Sequence, residues 1–446
     1  MFILDEMKEK QIKNRLTSFL GRPIQKDKTY HIIGAGIAGL VCGFYLKKRG
    51  IPFKIIEKTN RTGGVLGTQT TPYGIAEQAA NGFLWCAALQ EICDDLNLEI
   101  IAPKKEAKAR YFVRQKKLRR YPFSLLETLG IGRRMLTPHR AAIHTMEDFG
   151  QAYFGDTFTR QLLEPAMGGI YGAPLPAMSF PAVLGGLATH IGASPFLPKA
   201  LRKWRKERTK NTPQKPKNAQ GTQSFLGGMQ ALIDALSEHL KDHIQYGIEA
   251  TREDIQNTEN QFIITIPAHT AVHFFSDKIN NLLTQIHYTP IISTTLFFNK
   301  NDLKKFKEGF GCLIPRNEGL TILGVLFNSC IFPQRVTDES VVSLTCIMRD
   351  DTPNLSLMNG ADIDLKNLVV SELDTLFDIQ GELLDYTVFR WEKGIPVYSP
   401  QLHENLFEID EILQKKHPHI NLFGNYTGAI SIRQMSEAIR GVMIND

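Results

Sequence analysis

The sequence contains no apolar run of the roughly 20 residues that a membrane-spanning helix requires. Its N-terminus, MFILDEMKEK, reaches acidic residues at positions 5 and 6, too soon for the apolar core of a secretory signal. None of the six cysteines stands in a CxxC pair or at a Cys/His spacing that binds metal. These absences predict a cytoplasmic protein with reduced, packed thiols and no metal site.

Acidic residues are scarce in one part of the chain. Between Lys104 and Lys217 there are 22 Lys and Arg against 7 Asp and Glu, a net charge of +15, whereas the whole 446-residue chain carries +6. This asymmetry favours an anionic partner for the segment, although a solvated basic face explains it equally well. The segment lacks the regularly interleaved aromatics of a single-strand binding platform, so we expect no nucleic-acid partner.

What the sequence does contain is a dinucleotide-binding pattern at residues 30–58, YHIIGAGIAGLVCGFYLKKRGIPFKIIEK. A strand leads into a glycine-rich turn, a helix and a second strand. Gly34 allows the tight turn, Gly36 lets the backbone approach a pyrophosphate, and Gly39 lets the helix pack closely on the sheet. Glu57 ends the second strand, where a carboxylate accepts hydrogen bonds from ribose hydroxyls. The pattern predicts dinucleotide binding but does not by itself separate NAD from FAD.

The stretch RTGGVLG follows Glu57 directly and resembles the second fingerprint of amine-oxidase-like flavoproteins. This resemblance implies that Arg61 approaches the cofactor phosphates and that Gly63 and Gly64 let the backbone pass close to a flavin. Lys58 belongs to the same predicted cofactor site.

Two longer stretches narrow the resemblance. They are GFGCLIPRNEGLTILGVLFNSCIFPQR at 309–335 and LFGNYTGAISIRQMSEAIRG at 422–441. Together with LLEPAMGGIYGAP, SFLGGMQAL, FIITIPAH and RWEKGIPVY, they resemble the protoporphyrinogen oxidase family, which includes bacterial relatives that oxidise coproporphyrinogen III. The resemblance extends from about residue 30 to the C-terminus.

The resemblance implies an α/β (α+β) fold in several parts. The expected parts are an N-terminal lead-in at 1–28, a Rossmann-like FAD-binding domain from 29–90, 221–275 and 385–446, a substrate domain with a mixed sheet at 276–384 and parts of 160–195, and a helical, basic, membrane-facing domain at 91–220. The alternation of strand-rich and helix-rich blocks independently favours domains built from discontinuous segments.

The activity that the resemblance implies is oxidation of a porphyrinogen to a porphyrin in haem biosynthesis. Six electrons leave in three hydride steps to non-covalent FAD, and O₂ or another acceptor takes them. Two alternatives stay open: a flavin oxidase or desaturase of another apolar substrate, and a non-catalytic porphyrin-binding flavoprotein. A polyene would need no cationic anchor, which argues against the first alternative.

The resemblance also implies substrate-binding residues. Phe310 and Leu313 would sandwich the macrocycle beside the flavin, and Arg110 would pair with a propionate, since a guanidinium can donate two parallel hydrogen bonds to a carboxylate. Arg110 belongs to ARYFVRQKKLRRYP at 109–122, a predicted basic hairpin. Arg114, Arg119 and Arg120 suit either steering of an anionic substrate or contact with a membrane, whereas Lys116 and Lys117 lie at the turn, where we expect solvation.

Further cofactor contacts are implied for the backbone of Ala429 and Ile430, for Trp391 and for the backbone of Ile248. The sequence departs from the family at 79–80, where Ala-Ala stands, and at 348–349, where Met-Arg stands. These departures make the substrate less certain than the cofactor.

A basic helix predicted at 199–210 carries Trp204 beside its cations, close to Phe196 and Leu197. This composition suits a peripheral contact with an anionic membrane on its inner face, and it also suits a solvated basic helix.

Overall fold

The structure is a computed structural model that describes residues 19–139, 142–211, 221–351 and 356–444. The predicted lead-in at 1–28 lies mostly outside these residues, and we make no structural statement on a second segment, the surface loop that the Pro, Asn and Gln content of 211–220 predicts. The strands are β1 Tyr30–Ile33, β2 Phe53–Glu57, β3 Thr68–Thr71, β4 Gly74–Glu77, β5 Phe83–Leu84, β6 Ile100–Ile101, β7 Arg110–Arg114, β8 Lys117–Arg119, β9 Thr222–Phe225, β10 Ile244–Tyr246, β11 Gln261–Ile264, β12 Tyr288–Asn299, β13 Gly311–Leu313, β14 Ile322–Phe327, β15 Val341–Arg349, β16 Leu383–Pro396 and β17 Ile420–Leu422.

The helices are α1 Ile37–Lys48, α2 Ala87–Asp95, α3 Leu125–Met135, α4 Met146–Tyr153, α5 Asp156–Phe158, α6 Glu164–Tyr171, α7 Phe180–Ala193, α8 Leu197–Asn211, α9 Gln230–Leu240, α10 Arg252–Gln256, α11 Ala268–Ala271, α12 Lys278–Thr284, α13 Asn328–Ile331, α14 Asp362–Phe377, α15 Pro400–Lys416 and α16 Ile432–Ile444. A π-helical turn, Thr159–Leu163, joins α5 to α6.

A five-stranded parallel sheet in the order β10-β2-β1-β11-β17 forms the centre of the nucleotide-binding unit. Its strands come from three parts of the chain that lie far apart in sequence. Their short runs of β-branched and aromatic residues are largely buried, as parallel strands covered on both faces require. Apolar clusters lie on the two faces, one of them formed with α1, α9 and α16. The predicted discontinuous Rossmann-like unit is confirmed.

A seven-stranded mixed sheet in the order β16-β12-β15-β14-β13-β7-β8 forms the second unit. Its strands are antiparallel except for β13 and β7, which pair in parallel. One face packs on α14 through a large apolar cluster. The predicted mixed sheet is therefore confirmed, and its other face is free to border a site.

Two boundaries differ from those expected. The helical part expected at 91–220 includes the basic hairpin β7–β8, yet the hairpin extends the mixed sheet, because β7 pairs with β13 in the register Arg110 to Gly311. The FAD-binding segment expected at 385–446 includes most of β16, yet this strand pairs with β12 along most of its length. The third nucleotide-binding segment therefore begins after Pro396. Pairing between distant strands decides both cases, and local composition does not reveal it.

Helices α3 to α8 form the helical unit around their own apolar cluster. Leu197 in α8 is fully buried there, and Trp204 is partly buried against Gly186, where a built Cβ would lie 2.7 Å from the indole Nε1. Leu197 and Trp204, two of the residues that favour a lipid contact for this helix, are thus used in packing. Across the described ranges, no helix combines the length and apolarity needed to cross a bilayer.

All six cysteines are free thiols, and five of them are buried. Burial raises the pKa of the Cys86 and Cys93 thiols to about 12, which keeps them protonated and unreactive at neutral pH. They serve as small apolar packing residues.

Candidate functional site

The turn between β1 and α1 needs its three glycines for three different reasons. Gly34 has φ +98°, a conformation that side chains disfavour. A Cβ built at Gly39 would lie 2.0 Å from the carbonyl oxygen of Gly34, so any side chain would push the helix off the strand. A Cβ built at Gly36 would meet nothing within 4 Å. Gly36 therefore faces open space, as expected where a pyrophosphate approaches the backbone.

The N-terminus of α1 is ready to receive an anion. Gly36 is its N-cap, no side chain caps it, and its first turn carries no acidic residue. The free N–H groups and the helix dipole both favour negative charge at this position. The RTGG loop closes beside it, since the Gly63 N–H donates to the Ala35 carbonyl at 2.8 Å and a Cβ at Gly64 would lie 3.4 Å from Gly36 Cα.

A cavity of about 270 Å³ opens at this turn and gathers most of the predicted cofactor residues. Its lining includes the predicted residues Gly34, Gly36, Glu57, Lys58, Arg61, Gly64 and Ile248. Since these residues lie at the end of β2 and in the loops after β1, β2 and β10, the cavity lies at the carboxyl ends of parallel strands, where such sheets bind nucleotides.

Glu57 is held rigidly at the cavity. Its Oε2 accepts the Ala35 N–H at 2.8 Å, and its Oε1 accepts the N–H and the hydroxyl of Thr59 at 2.9 and 2.7 Å. A carboxylate has about four lone-pair positions, so at least one remains for a ribose hydroxyl. The Ile248 N–H donates to the Glu57 carbonyl at 3.1 Å, so the backbone group of Ile248 that a ligand could meet is the Ile248 carbonyl.

Arg61 lines the same cavity and also donates hydrogen bonds within its own loop. Its Nη2 donates to the Gly64 carbonyl at 2.6 Å, and its Nη1 donates to the Thr62 carbonyl at 3.2 Å. The guanidinium therefore braces the RTGG loop around Gly36, while its exposed remaining N–H groups border the cavity.

A second cavity, of about 490 Å³, lies between the nucleotide-binding unit and the free face of the mixed sheet. Residues of β16, β12, β15 and β14 line it in sheet order, and Phe310, which immediately precedes β13, completes that wall. Neighbouring strands are about 4.8 Å apart, so the cavity extends roughly 19 Å across the sheet. That length accommodates two flat ring systems side by side.

Three predicted residues meet at this second cavity: Phe310, Trp391 and Ile430. Trp391 is fixed by a hydrogen bond from its Nε1 to the Gln78 carbonyl at 2.9 Å. Ala429 is fully buried and is not among the lining residues, so its predicted backbone contact with a cofactor stays a prediction. Leu313 stands three residues beyond Phe310, about 10 Å further along the chain, and is not among the described lining residues, so its place beside the macrocycle stays a prediction.

Arg110 stands at the edge of this cavity over Phe310. The guanidinium carbon lies 4.8 Å from the ring centroid, a cation–π contact. The Phe310 N–H donates to the Ala109 carbonyl at 2.7 Å, and the parallel pairing of β7 with β13 keeps the two residues together. The arrangement presents an apolar ring face beside an exposed cation.

The two positions at which the sequence differs from the family, 79–80 and 348–349, lie in different places in the structure. Ala79 and Ala80 line the second cavity and so contribute to its shape. Met348 is fully buried on the opposite face of the mixed sheet, and Arg349 donates to the Gly172 carbonyl at 3.1 Å. The second departure is therefore structural and lies outside the site.

Sequence reasoning did not identify the ion pair of Glu77 with Arg335. The two side chains are almost completely buried and 2.9 Å apart, and Arg335 also donates to the Asn81 carbonyl and to Ser224. Burial raises the pKa of the Glu77 carboxyl, which Arg335, Thr68 and the Met229 N–H oppose. The pair fixes the segment from Gln78 to Leu84 that lines the second cavity, and no local motif signals it.

Comparison with known proteins agrees with this geometry. The profile of the flavin containing amine oxidoreductase family matches residues 37–438. Protoporphyrinogen oxidase 2 of Arabidopsis thaliana is 26% identical over 91% of each chain. Coproporphyrinogen III oxidase of Bacillus subtilis is 21% identical over 88% of this chain and 92% of its own.

Solved structures share the fold. A protein of Exiguobacterium sp. 255-15 that has been proposed to be a protoporphyrinogen oxidase superposes with a TM-score of 0.71 at 17% identity, over 95% of this chain and 100% of its own. Reduced UDP-galactopyranose mutase superposes equally well, with a TM-score of 0.71 at 14% identity over 93% of both chains. At these identities the superpositions establish the architecture alone.

Proposed function

The chain belongs to the flavin-containing amine oxidoreductase family and is a flavin-dependent oxidoreductase, and from that premise we propose that it oxidises a porphyrinogen with non-covalently bound FAD. Bound FAD would supply a two-electron acceptor for hydride removed from the substrate. Removing six electrons takes three such steps, with O₂ or another acceptor as second substrate.

The FAD assignment is supported by the two adjoining cavities. The N-terminus of α1 and Gly36 would hold the pyrophosphate, Glu57 would hold the ribose, and the backbone of Ile430 would border the ring. Among the described residues that line either cavity there is no Cys, His or Tyr. These are the side chains able to form a covalent bond to a flavin, so we propose that the cofactor is held by contacts alone.

The observation that carries the substrate proposal is the stack of Arg110 on Phe310 at the edge of a mainly apolar cavity. A flat apolar ring with acidic arms matches that surface, because the ring packs on Phe310 while a carboxylate reaches the guanidinium. The similarity to proteins named protoporphyrinogen oxidase and coproporphyrinogen III oxidase supports the same class of substrate.

Turnover of purified protein tests the proposal. Protoporphyrinogen IX and coproporphyrinogen III are each mixed with the yellow protein without oxygen, air is admitted, and porphyrin fluorescence is followed. Fluorescence that rises faster than in a protein-free control supports the proposal. Porphyrin binding without turnover would favour a carrier, and failure to bind or oxidise either compound would favour another apolar substrate.

Replacing Arg110 with Gln should raise the KM for the porphyrinogen about 10-fold, because a hydrogen bond between charged partners is lost. The flavin content and kcat should change little, since Arg110 borders only the outer edge of the cavity. The matched control is Arg119→Gln, which removes the same charge from the second, exposed strand of the same hairpin. Equal kinetics for both variants would contradict the propionate role.

We further propose that the protein contacts anionic lipid through α3. No residue of this helix is buried, and Leu125, Leu126 and Leu129 are 76%, 81% and 62% exposed. Exposing three neighbouring leucines to water is unfavourable, and such an apolar patch marks a surface that binds a partner or a membrane. A capping box begins the helix, and Glu127 binds Arg114 at 2.7 Å, so the leucines are held on an ordered surface. The exposed cations Arg119 and Arg133 suit phosphate headgroups nearby.

Vesicle sedimentation tests this surface. Replacing the three leucines by Ser should reduce binding to vesicles containing phosphatidylglycerol at least 10-fold, since each leucine contributes up to about 1.5–3 kcal/mol when buried. Leu226→Ser is the control, because Leu226 is 62% exposed and lies outside α3. Undiminished binding of the triple variant, or equal wild-type binding to neutral vesicles, would count against the proposal.

A further inference from the structure

One cation lines the second cavity and has no role in the proposed function described so far. Among the described residues that line it, Arg433 is the one charged side chain, and the remainder of the lining is apolar or neutral. Arg433 stands in the first turn of α16 and is partly buried. A guanidinium next to an apolar cavity loses part of its hydration, so an anion there would stabilise it.

No partner within the described ranges satisfies Arg433. Glu437 stands one helical turn further on, but it accepts the Ala88 N–H at 3.2 Å and makes no ion pair with Arg433. The other arginine of the helix, Arg440, is paired with Glu91 at 2.9 Å. The two arginines of α16 therefore differ: one is neutralised, and the other faces the cavity with its donors available.

The position of Arg433 suggests which part of a ligand it meets. Helix α16 packs against β5, and Leu84 of β5 lines the cavity while remaining 49% exposed. Arg433 therefore borders an opening to solvent. The turn that suits a pyrophosphate, at Gly36, belongs to the separate 270 Å³ cavity. An anion at Arg433 is better explained by an acidic arm of a ligand that extends out of the second cavity.

Arg110 stands at the edge of the cavity over Phe310, whereas Arg433 lines it. Arg110 belongs to the mixed sheet, whereas Arg433 belongs to the nucleotide-binding unit across the cavity. We propose that Arg433 is a second carboxylate anchor, so that the substrate is held by two separate acidic arms, one at each arginine. This inference rests on the proposed porphyrinogen function and defines its substrate as an apolar ring with at least two carboxylates. A two-point hold would also fix the orientation of the ring against the flavin.

Binding of a stable porphyrin tests the second anchor. Coproporphyrin III and its tetramethyl ester are titrated into the flavin-loaded protein, and the dissociation constants are read from fluorescence. Arg433→Gln should weaken binding of the free acid about 10-fold and leave the ester unchanged, because the ester offers no charge to the guanidinium. Arg433→Lys should restore part of the affinity, and Arg440→Gln, which removes equal charge from the same helix, should have no effect.

Each other outcome has a defined meaning. Equal losses for acid and ester would show a packing role and overturn the anchor. Loss of flavin with unchanged porphyrin affinity would assign Arg433 to the cofactor and overturn it too. If the wild-type protein oxidises porphyrinogen and the Arg433→Gln variant binds the free acid with unchanged affinity, only the second anchor is overturned. A wild-type protein that neither binds porphyrins nor oxidises porphyrinogens would overturn the proposed function as well.

Discussion

Replacing Arg335 with Met is expected to lower the free energy of unfolding by about 3–5 kcal/mol, because it leaves the Glu77 carboxylate buried without its cation. Glu77 is 1% exposed and would keep only the hydrogen bonds from Thr68 and the Met229 N–H. Since Arg335 also holds Asn81, the segment lining the second cavity should loosen and flavin affinity should fall. Urea unfolding and flavin titration measure the two effects.

The double variant Glu77→Gln with Arg335→Met serves as the first control. It removes both charges and should recover much of the lost stability, since a buried ion pair replaced as a unit often costs little. Lys48→Met is the second control: its partners Glu91 and Asp95 lie at the surface, so its loss should cost less than about 1 kcal/mol. A cost for Arg335→Met no larger than that for Lys48→Met would contradict the buried pair.

Replacing Gly36 with Val should produce a folded protein that is nearly colourless. Its Cβ would meet nothing within 4 Å, so the fold has room for the side chain, but that room is where the pyrophosphate must approach. Loss of two hydrogen bonds between backbone N–H groups and phosphate should weaken FAD binding about 100-fold. The unfolding free energy of the flavin-free protein should fall by only about 1 kcal/mol, from the poorer N-cap.

Gly39→Ala supplies the contrast for this prediction. Its Cβ would lie 2.0 Å from the Gly34 carbonyl oxygen, so the flavin-free protein itself should be destabilised. Absorbance at the flavin band and thermal unfolding of the flavin-free protein separate the two variants. A yellow Gly36→Val protein, or two variants that unfold alike, would mean that the open space beside Gly36 is not the cofactor site.

The local geometry of the nucleotide site could be predicted because it depends on residues close in sequence. The three glycines and Glu57 lie within one strand–turn–helix–strand unit, and each meets a steric or hydrogen-bonding condition set by its neighbours. Resemblance of longer stretches added Phe310, Trp391 and Ile430, which the structure brings to one cavity. Leu313, which the same resemblance implies, lies at the end of β13, and its contact with a ligand stays a prediction.

The sequence by itself determined the dinucleotide turn and the basic character of residues 104–217, because glycine spacing and charge are properties of the chain. Resemblance to a family implied the division of the parallel sheet among distant segments. Only the tertiary structure decided that the basic hairpin joins the mixed sheet, that the exposed leucines belong to α3, and that Arg335 meets Glu77 across 258 residues. It likewise singled out Arg433 from the cations of α16. These features depend on which surfaces are buried against each other, and burial between distant segments leaves no periodic signal in the sequence.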